Sequence, residues 1–136
     1  MSDATFSTDV DVRYRDLDAA GHLNNAVYAT YVEQARVAYF DRVVGTTLGT
    51  GDAALAGLSL TFERPVRDPL GTVTVTVRTT DVGKTSIDQT HRLEHDGDRI
   101  ATAEGTTVTL EPETGGPRPV PRAWHEAIRE FETDPV

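Results

Sequence analysis

The residues best suited to chemistry lie in one short stretch, YRDLDAAGHLNNAVY, at positions 14–28. Asp16, Asp18, His22, Asn24 and Asn25 all fall within ten positions of this stretch. A carboxylate can attack an electrophilic carbon or take a proton from water, and an imidazole can orient or polarise that water. The stretch therefore predicts a nucleophilic or acid-base site.

The same residue types also build turns and helix starts. Aspartate, asparagine and glycine favour turns, and Asn24 can accept a hydrogen bond from the free amides of a following helix. This structural interpretation accounts for Asp16, Gly21 and Asn24. It does not account for Asp18, His22 and Asn25 together, so both interpretations stay open at this point.

Hydrophobic periodicity places the polar stretch between a strand and a long helix. Residues 6–14 alternate apolar and polar side chains, which predicts a half-buried strand. Apolar residues then recur at three- and four-residue steps, which predicts an amphipathic helix from Asn25 to Val43. The apolar face of this helix consists of Tyr28, Val32, Ala35, Tyr39 and Val43.

The rest of the chain reads as antiparallel strands and one short helix. Alternation and turn residues predict strands at 58–63, 72–80, 86–94 and 99–110, after a loop at 45–57. An Asp-Gly pair at 96–97 indicates a tight hairpin turn. A Pro/Gly linker at 111–121 leads to a helix at about 122–132. We therefore expect a single α+β domain over residues 1–136, with an antiparallel sheet wrapped around one long central helix.

Composition excludes several classes of protein. The chain has no cysteine, which excludes a disulfide framework, a thiolate nucleophile and thiolate-bound zinc. A formal net charge of −9 argues against a nucleic-acid partner, because such a protein needs a basic surface. No apolar run is long enough to span a bilayer, and the N-terminus lacks a secretory signal pattern. We expect a cytoplasmic protein that does not bind membranes.

The polar stretch resembles the signature of acyl-CoA thioesterases in the 4-hydroxybenzoyl-CoA thioesterase-like hotdog family. The matching pattern is Asp-x-Asp-x-x-Gly-His-x-x-Asn at residues 16–25, followed by Tyr28 and by Glu-x-Ala-Arg at 33–36. The Gly-Lys-Thr-Ser turn at 83–86 and the Ala-Glu-Gly segment at 103–105 agree more loosely. The resemblance covers roughly residues 8–112.

The resemblance implies a hotdog fold and a homodimer or homotetramer with active sites between subunits. It also implies hydrolysis of acyl-CoA thioesters without metal or cofactor. Asp18 maps onto the carboxylate that acts on the thioester, and the backbone near Asn25 onto the amides that bind the thioester oxygen. Some relatives carry a Tyr-His pair where this chain has Asn24-Asn25, so His22 either positions water or only bonds within the turn.

Other residues are candidates for binding the substrate or for structural pairing. Charged and polar groups could meet the CoA phosphates or the acyl group; the candidate substrate-binding residues are Asn24, Tyr28, Arg64, Lys84 and Ser86. Glu33 and Arg36, three residues apart on the helix, are expected to form an ion pair, although some hotdog thioesterases place their catalytic carboxylate on this helix.

Two rival functions share the expected fold. A non-catalytic hotdog protein would bind acyl-CoA without turnover. A hotdog dehydratase would act on a hydroxyacyl thioester and leave the thioester bond intact. The release of free thiol separates thioester hydrolysis from both alternatives.

The charge composition also suggests a salt-rich cytoplasm. The 13 cationic residues comprise a single lysine, Lys84, and otherwise arginines, against 22 acidic residues. A dense anionic surface keeps a protein soluble when salt is high and repels itself when salt is low. The alternative is an ordinary acidic protein.

We predict that the melting temperature rises as KCl is increased from low to molar concentration, because salt screens the repulsion among the excess acidic groups. Differential scanning calorimetry across a KCl series measures this directly. A flat or falling curve would contradict adaptation to a salt-rich environment.

Overall fold

The computed structural model describes residues 5–48, 51–67 and 71–132, which form five strands and two α-helices. The strands are β1 (Phe6–Asp11), β2 (Ala53–Phe62), β3 (Thr72–Val82), β4 (Ser86–His95) and β5 (Asp98–Thr109). The helices are α1 (Val27–Tyr39) and α2 (Arg122–Phe131). The expected α+β hotdog architecture, an antiparallel sheet around one long helix, is confirmed.

All neighbouring strands pair antiparallel, in the order β1-β3-β4-β5-β2. Strand β1 forms one edge of the sheet, and β2 forms the other edge beside β5. Side chains on one face of β3, β4 and β5 are buried at every second position, which follows from the two-residue period of a strand. That face forms the core with α1.

Helix α1 covers the buried face of the sheet with one continuous apolar side. Tyr28, Val32, Ala35 and Tyr39 are all at most 2 % exposed. They pack into the same cluster as the valines of β3. Burial of each large side chain of this kind contributes on the order of 2 kcal/mol, so the packing of α1 on the sheet is a principal source of stability.

The helix begins and ends differently from the sequence prediction. It begins at Val27 rather than Asn25, because Asn24 and Asn25 form a turn whose carbonyls accept the amides of Val27 and Tyr28. The α-helix ends at Tyr39, and a π-helical turn over Phe40–Val44 continues the chain to Gly45. The predicted end at Val43 therefore lies within the helical segment as a whole.

Two strand boundaries also differ. The first strand ends at Asp11 rather than residue 14, because residues 14–16 turn into a short 3-10 helix. β2 begins at Ala53, inside the segment predicted as a loop. Its Ala- and Gly-rich beginning gives little strand signal alone, but pairing with the well-defined β5 draws it into the sheet.

The hairpin turn between β4 and β5 has the predicted form. Asp96 and Gly97 adopt φ values of 51° and 82°. Two successive residues with positive φ match the two-residue turn that Asp-Gly favours in hairpins.

Helix α2 packs its apolar side against the body of the domain. Trp124 and Ile128 are buried, and Trp124 meets Phe40 edge to face with ring centroids 5.6 Å apart. Glu132, at the end of α2, accepts hydrogen bonds from the Tyr39 hydroxyl at 2.6 Å and the Thr79 amide at 3.0 Å. The predicted C-terminal helix is therefore present and tied to α1 and β3.

None of the helices in the described ranges is both long and apolar enough to cross a membrane.

The imidazole of His91 is an ionisable group buried in the core. His91 on β4 is 3 % exposed, and neither ring nitrogen has a hydrogen-bond partner among the described residues. Burial is the main cause that lowers the pKa of His91 to about 4; the Ala103 backbone opposes the shift, and the nearby Arg36 charge adds to it. Because the folded pKa lies below the unfolded value of 6.5, the unfolded chain takes up the proton first as the pH falls.

We predict that this burial makes the fold less stable in mild acid. The contribution of His91 is complete above its unfolded pKa and is lost as the pH falls toward the folded pKa, about 2 kcal/mol between pH 6.5 and pH 5. Urea unfolding of wild type and His91→Leu at several pH values tests this, because the leucine variant should lose less stability over that window.

His125→Gln serves as the control, since His125 is a partly exposed histidine on α2. An identical pH dependence in wild type and His91→Leu would contradict the assignment.

Candidate active site

The polar stretch forms a compact loop, residues 16–24, shaped by Asp18. Asp18 Oδ1 accepts the backbone N–H groups of Ala20 at 2.9 Å and His22 at 3.0 Å. The Asp18 amide in turn donates to the His22 carbonyl at 2.8 Å. Gly21 takes a φ of 81°, a conformation that glycine adopts without steric cost. The aspartate therefore has a structural role in the loop.

Only one oxygen of Asp18 has this structural role. Oδ2 has no hydrogen-bond partner among the residues that the structure describes. Asp18 is also an exposed residue, so this oxygen can reach a bound molecule. The carboxylate is thus held by one oxygen and available through the other.

The two ends of the loop meet at Asp16. Its carboxylate accepts the Arg13 amide at 2.9 Å and the Tyr31 hydroxyl at 2.7 Å. Its carbonyl accepts the Asn24 amide at 2.9 Å. A further bridge joins Leu17 to Leu23. Asp16 therefore closes the loop and links it to α1.

The start of α1 follows directly. Asn24 Oδ1 accepts the amide of Ala26 at 2.9 Å, so the predicted asparagine cap acts on the turn just before the helix. The amides of Val27 and Tyr28 are taken by the Asn24 and Asn25 carbonyls. The Asn25 amide has no partner within the described chain. It is thus the backbone donor left available at this end of the helix.

A cavity of about 460 Å³ joins the loop to the segment that follows β2. The loop and α1 contribute one wall, and residues 62–65 contribute the other. The structure brings six predicted residues together here: Asp18, His22, Asn24, Asn25, Tyr28 and Arg64. Leu23, Phe62, Glu63 and Pro65 also line the cavity and were not singled out from the sequence.

The aromatic part of the cavity consists of Tyr28 and Phe62. Their rings meet edge to face with centroids 5.0 Å apart. Tyr28 is 2 % exposed and its pKa is raised by burial, so the phenol stays neutral. Phe62 is 46 % exposed, which is unusual for a phenylalanine in a folded domain. An apolar group bound in the cavity would cover it.

Charged side chains line the outer part of the cavity. Glu63 accepts a hydrogen bond from Arg99 at 2.8 Å, and Arg64 lies 3.5 Å from Asp98. The Arg64 side chain is 61 % exposed, so its contact with Asp98 is a weak surface pair. The guanidinium remains free to bind an anionic group.

The structure does not bring Lys84 and Ser86 into this cavity within one chain. Ser86 pairs with Val108 at the end of the sheet where β2 begins, whereas the cavity lies where β2 ends at Phe62. A strand of ten residues is about 30 Å long, so the two groups lie at opposite ends of the sheet.

Glu33 and Arg36 form the expected ion pair, with a shortest separation of 2.8 Å, and Arg36 also donates to Thr107 at 3.2 Å.

The backbone amide of His22 is bound in the loop, whereas its imidazole has no hydrogen-bond partner among the described residues.

No group of three or more histidine, aspartate or glutamate side chains in the described ranges is arranged to hold a metal ion.

Comparison with known proteins agrees with the fold. The sequence model of the thioesterase-like superfamily matches residues 12–130. A thioesterase from Thermus thermophilus, solved with coenzyme A and Zn, is 40 % identical, with 96 % of each chain covered and a TM-score of 0.85. A putative thioesterase from Pseudomonas aeruginosa is 28 % identical, covering 90 % of this chain and 96 % of that chain, with a TM-score of 0.79.

More distant structures show the same fold. A DHNA-CoA thioesterase from Staphylococcus aureus is 20 % identical, covering 93 % of this chain and 89 % of that chain, with a TM-score of 0.82. Among proteins with curated descriptions, none matches the sequence significantly.

Proposed function

Because the chain belongs to the thioesterase-like superfamily and is thus a thioesterase, we propose that it hydrolyses acyl-CoA thioesters to a free acid and CoA at the cavity beside Asp18. One observation carries the proposal. Asp18 and Asn25 line the same cavity, and among the described residues one carboxylate oxygen of Asp18 and the backbone amide of Asn25 have no hydrogen-bond partner. These are the two groups that thioester hydrolysis needs.

Asp18 is the group that acts on the thioester carbon, in one of two ways. As a nucleophile, Oδ2 forms a bond to the carbonyl carbon, the C–S bond breaks, CoA leaves as a thiolate, and water then hydrolyses the mixed anhydride. As a general base, the same oxygen takes a proton from water while the water oxygen bonds to the carbonyl carbon; the C–S bond then breaks, and CoA leaves as a thiolate that takes up a proton. Either route uses the oxygen that the loop leaves unbound.

The Asn25 amide is the donor to the thioester oxygen. Negative charge develops on that oxygen as the carbon becomes tetrahedral, and a fixed N–H group stabilises it. The positive end of the α1 dipole adds to this effect. Loss of one such donor typically costs about 10²-fold or more in kcat.

The remaining cavity residues are proposed to bind the substrate. Tyr28 and Phe62 form the apolar wall for the acyl group, and Arg64 is placed for a phosphate of CoA. His22 and Asn24 line the same cavity, where the His22 imidazole and the side-chain NH2 group of Asn24 can orient the attacking water or the thioester.

The free edge of β2 supports the proposed homo-oligomer. Within the described residues β2 pairs only with β5, and Leu55 is 37 % exposed on it. An exposed apolar edge strand readily pairs with a second copy. Two-fold antiparallel pairing of β2 strands would set the Phe62 end of one copy beside the Ala53 end of the other.

This pairing would bring Lys84 and Ser86 of one subunit close to the cavity of the other. Ser86 lies at the Ala53 end of its own sheet. In the paired dimer, Lys84 and Ser86 of the partner subunit would therefore lie at the cavity end of the first copy. That arrangement supports a site shared between subunits.

A panel of aromatic, short and long acyl-CoA thioesters with detection of free thiol tests the proposed activity. Thiol release identifies hydrolysis and sets it apart from non-catalytic binding. Product analysis of hydroxyacyl substrates separates hydrolysis from dehydration, which leaves the thioester intact.

We predict that Asp18→Asn lowers kcat by about 10²-fold or more, with binding of substrate retained. The asparagine side-chain oxygen can still accept the Ala20 and His22 amides, so the loop should keep its shape. Steady-state kinetics and substrate binding by calorimetry measure the two effects separately.

Glu33→Gln is the matched control, because Glu33 is the carboxylate on α1 that pairs with Arg36. It should leave most of the activity in place. Near-normal turnover of Asp18→Asn together with an inactive Glu33→Gln would place the catalytic carboxylate on the helix instead.

We also predict at least a homodimer by light scattering, weakened by Ala56→Asp in the exposed middle of β2. A charge on an edge strand opposes pairing with another chain. Ala123→Asp makes the same change at an exposed position of α2 and should leave the assembly intact. A wild-type monomer at working salt would count against the shared site.

A further inference from the structure

The loop of residues 16–24 contacts the buried side of α1 through the Tyr31 hydroxyl. Tyr31 is 2 % exposed and donates to Asp16 Oδ2 at 2.7 Å. Burial and the Asp16 carboxylate both raise the pKa of Tyr31, so its hydroxyl stays protonated and remains a donor at neutral pH. A hydrogen bond to a charged group in a partly buried place is stronger than a typical neutral one.

Asp16 connects the Tyr31 hydroxyl to both ends of the loop by hydrogen bonds. The oxygen that accepts Tyr31 also accepts the Arg13 amide, and the Asp16 carbonyl accepts the Asn24 amide. Asp18 lies two residues after Asp16, and Asn25 lies one residue after Asn24. The Asp18 carboxylate, proposed to react, and the Asn25 amide, proposed to bind the oxyanion, are therefore each within two residues of a position that Asp16 fixes by hydrogen bonds.

A second contact of the loop with a distant part of the chain leads away from the helix. The Leu23 amide donates to the carbonyl of Val66, the residue that follows the opposite wall of the cavity, at 3.3 Å. Among the described residues, the loop without the Tyr31 hydroxyl would be joined to α1 only at its own end, where the Asn24 side chain and carbonyl accept the amides of Ala26 and Val27. Its distance from the second turn of the helix would no longer be fixed by a side chain.

We propose that Tyr31 is a positioning residue for thioester hydrolysis: acting through Asp16, it holds the loop on α1 so that the Asp18 carboxylate and the Asn25 amide keep their spacing. Tyr31 touches no substrate. The inference rests on the proposed function, and it adds a residue that lies outside the cavity. Small misplacements of reacting groups are costly, about 10²-fold in rate for 1 Å.

Tyr31→Phe tests the proposal, because it removes the hydroxyl and keeps the ring. We expect kcat to fall about tenfold with KM changed less than about twofold, since the alignment of reacting groups is lost while the binding walls remain. Asp16→Ala should lower kcat at least as much, because it also releases the Arg13 amide. The double variant should be no worse than Asp16→Ala alone.

Tyr39→Phe is the matched control on the same helix. It also removes a buried hydroxyl, which donates to Glu132 at 2.6 Å, but that bond leads to the end of α2 and not to the loop. Both variants should lower the melting temperature, and only Tyr31→Phe should lower kcat when each is assayed well below its own transition. Equal kcat in Tyr31→Phe and Tyr39→Phe, or additive losses in the double variant, would overturn the proposal.

Hydrogen exchange gives a readout that does not depend on activity. The amides of Ala20 and His22, which Asp18 binds, should exchange faster in Tyr31→Phe than in wild type and unchanged in Tyr39→Phe. Unchanged exchange in Tyr31→Phe would overturn the positioning role. A wild-type protein that releases no thiol from any acyl-CoA would overturn the proposed function, and the exchange data would still decide whether Tyr31 holds the loop.

Discussion

The packing of α1 across one face of an antiparallel sheet is the constraint on which the rest of the structure depends. Tyr28, Val32, Ala35 and Tyr39 bury one side of the helix against the sheet, which fixes the helix axis and the place where its first turn lies. That place is the end of the sheet where β2 stops at Phe62. Core packing therefore places the start of α1 beside the apolar wall of the cavity.

In the proposed mechanism, the side chains that shape the loop before α1 would also take part in the reaction. Asp18 uses one oxygen to shape the turn and leaves the other unbound, and Asn24 uses its side-chain oxygen to order the approach to the helix. The structural interpretation and the functional interpretation of the polar stretch are thus compatible. A carboxylate fixed through one oxygen loses little freedom when it reacts through the other, which is the benefit of a preorganised site.

Three features of the single chain suggest a missing partner subunit. Among the described residues, no strand pairs with the outer edge of β2, Phe62 is partly exposed, and the Lys84 turn lies at the far end of the sheet from the cavity. All three would be accounted for by a second copy paired along β2. The acidic surface acts in the opposite direction, since like charges on two copies repel unless salt screens them. The proposed assembly through β2 would therefore depend on the salt concentration.

The sequence by itself determined the features that depend on neighbours along the chain. Alternation over β3, β4 and β5, the helical repeat of α1 and the Asp96-Gly97 turn are local, because each element's period and each turn's φ values are set by adjacent residues. The loop with Asp18, His22 and Asn25 was also recognisable, since its members are close in the chain. These signals were sufficient for the order of elements and for the centre of the candidate site.

Tertiary structure alone decided what depends on residues far apart in the chain. It started β2 at Ala53 through pairing with β5, joined Phe62 and Arg64 to the loop, and kept Lys84 and Ser86 away from it. It also buried His91 and connected Tyr31 to Asp16. Strand register and helix packing set these contacts, and neither leaves a periodic signal in the residues concerned, because the partner that defines each environment lies in another element.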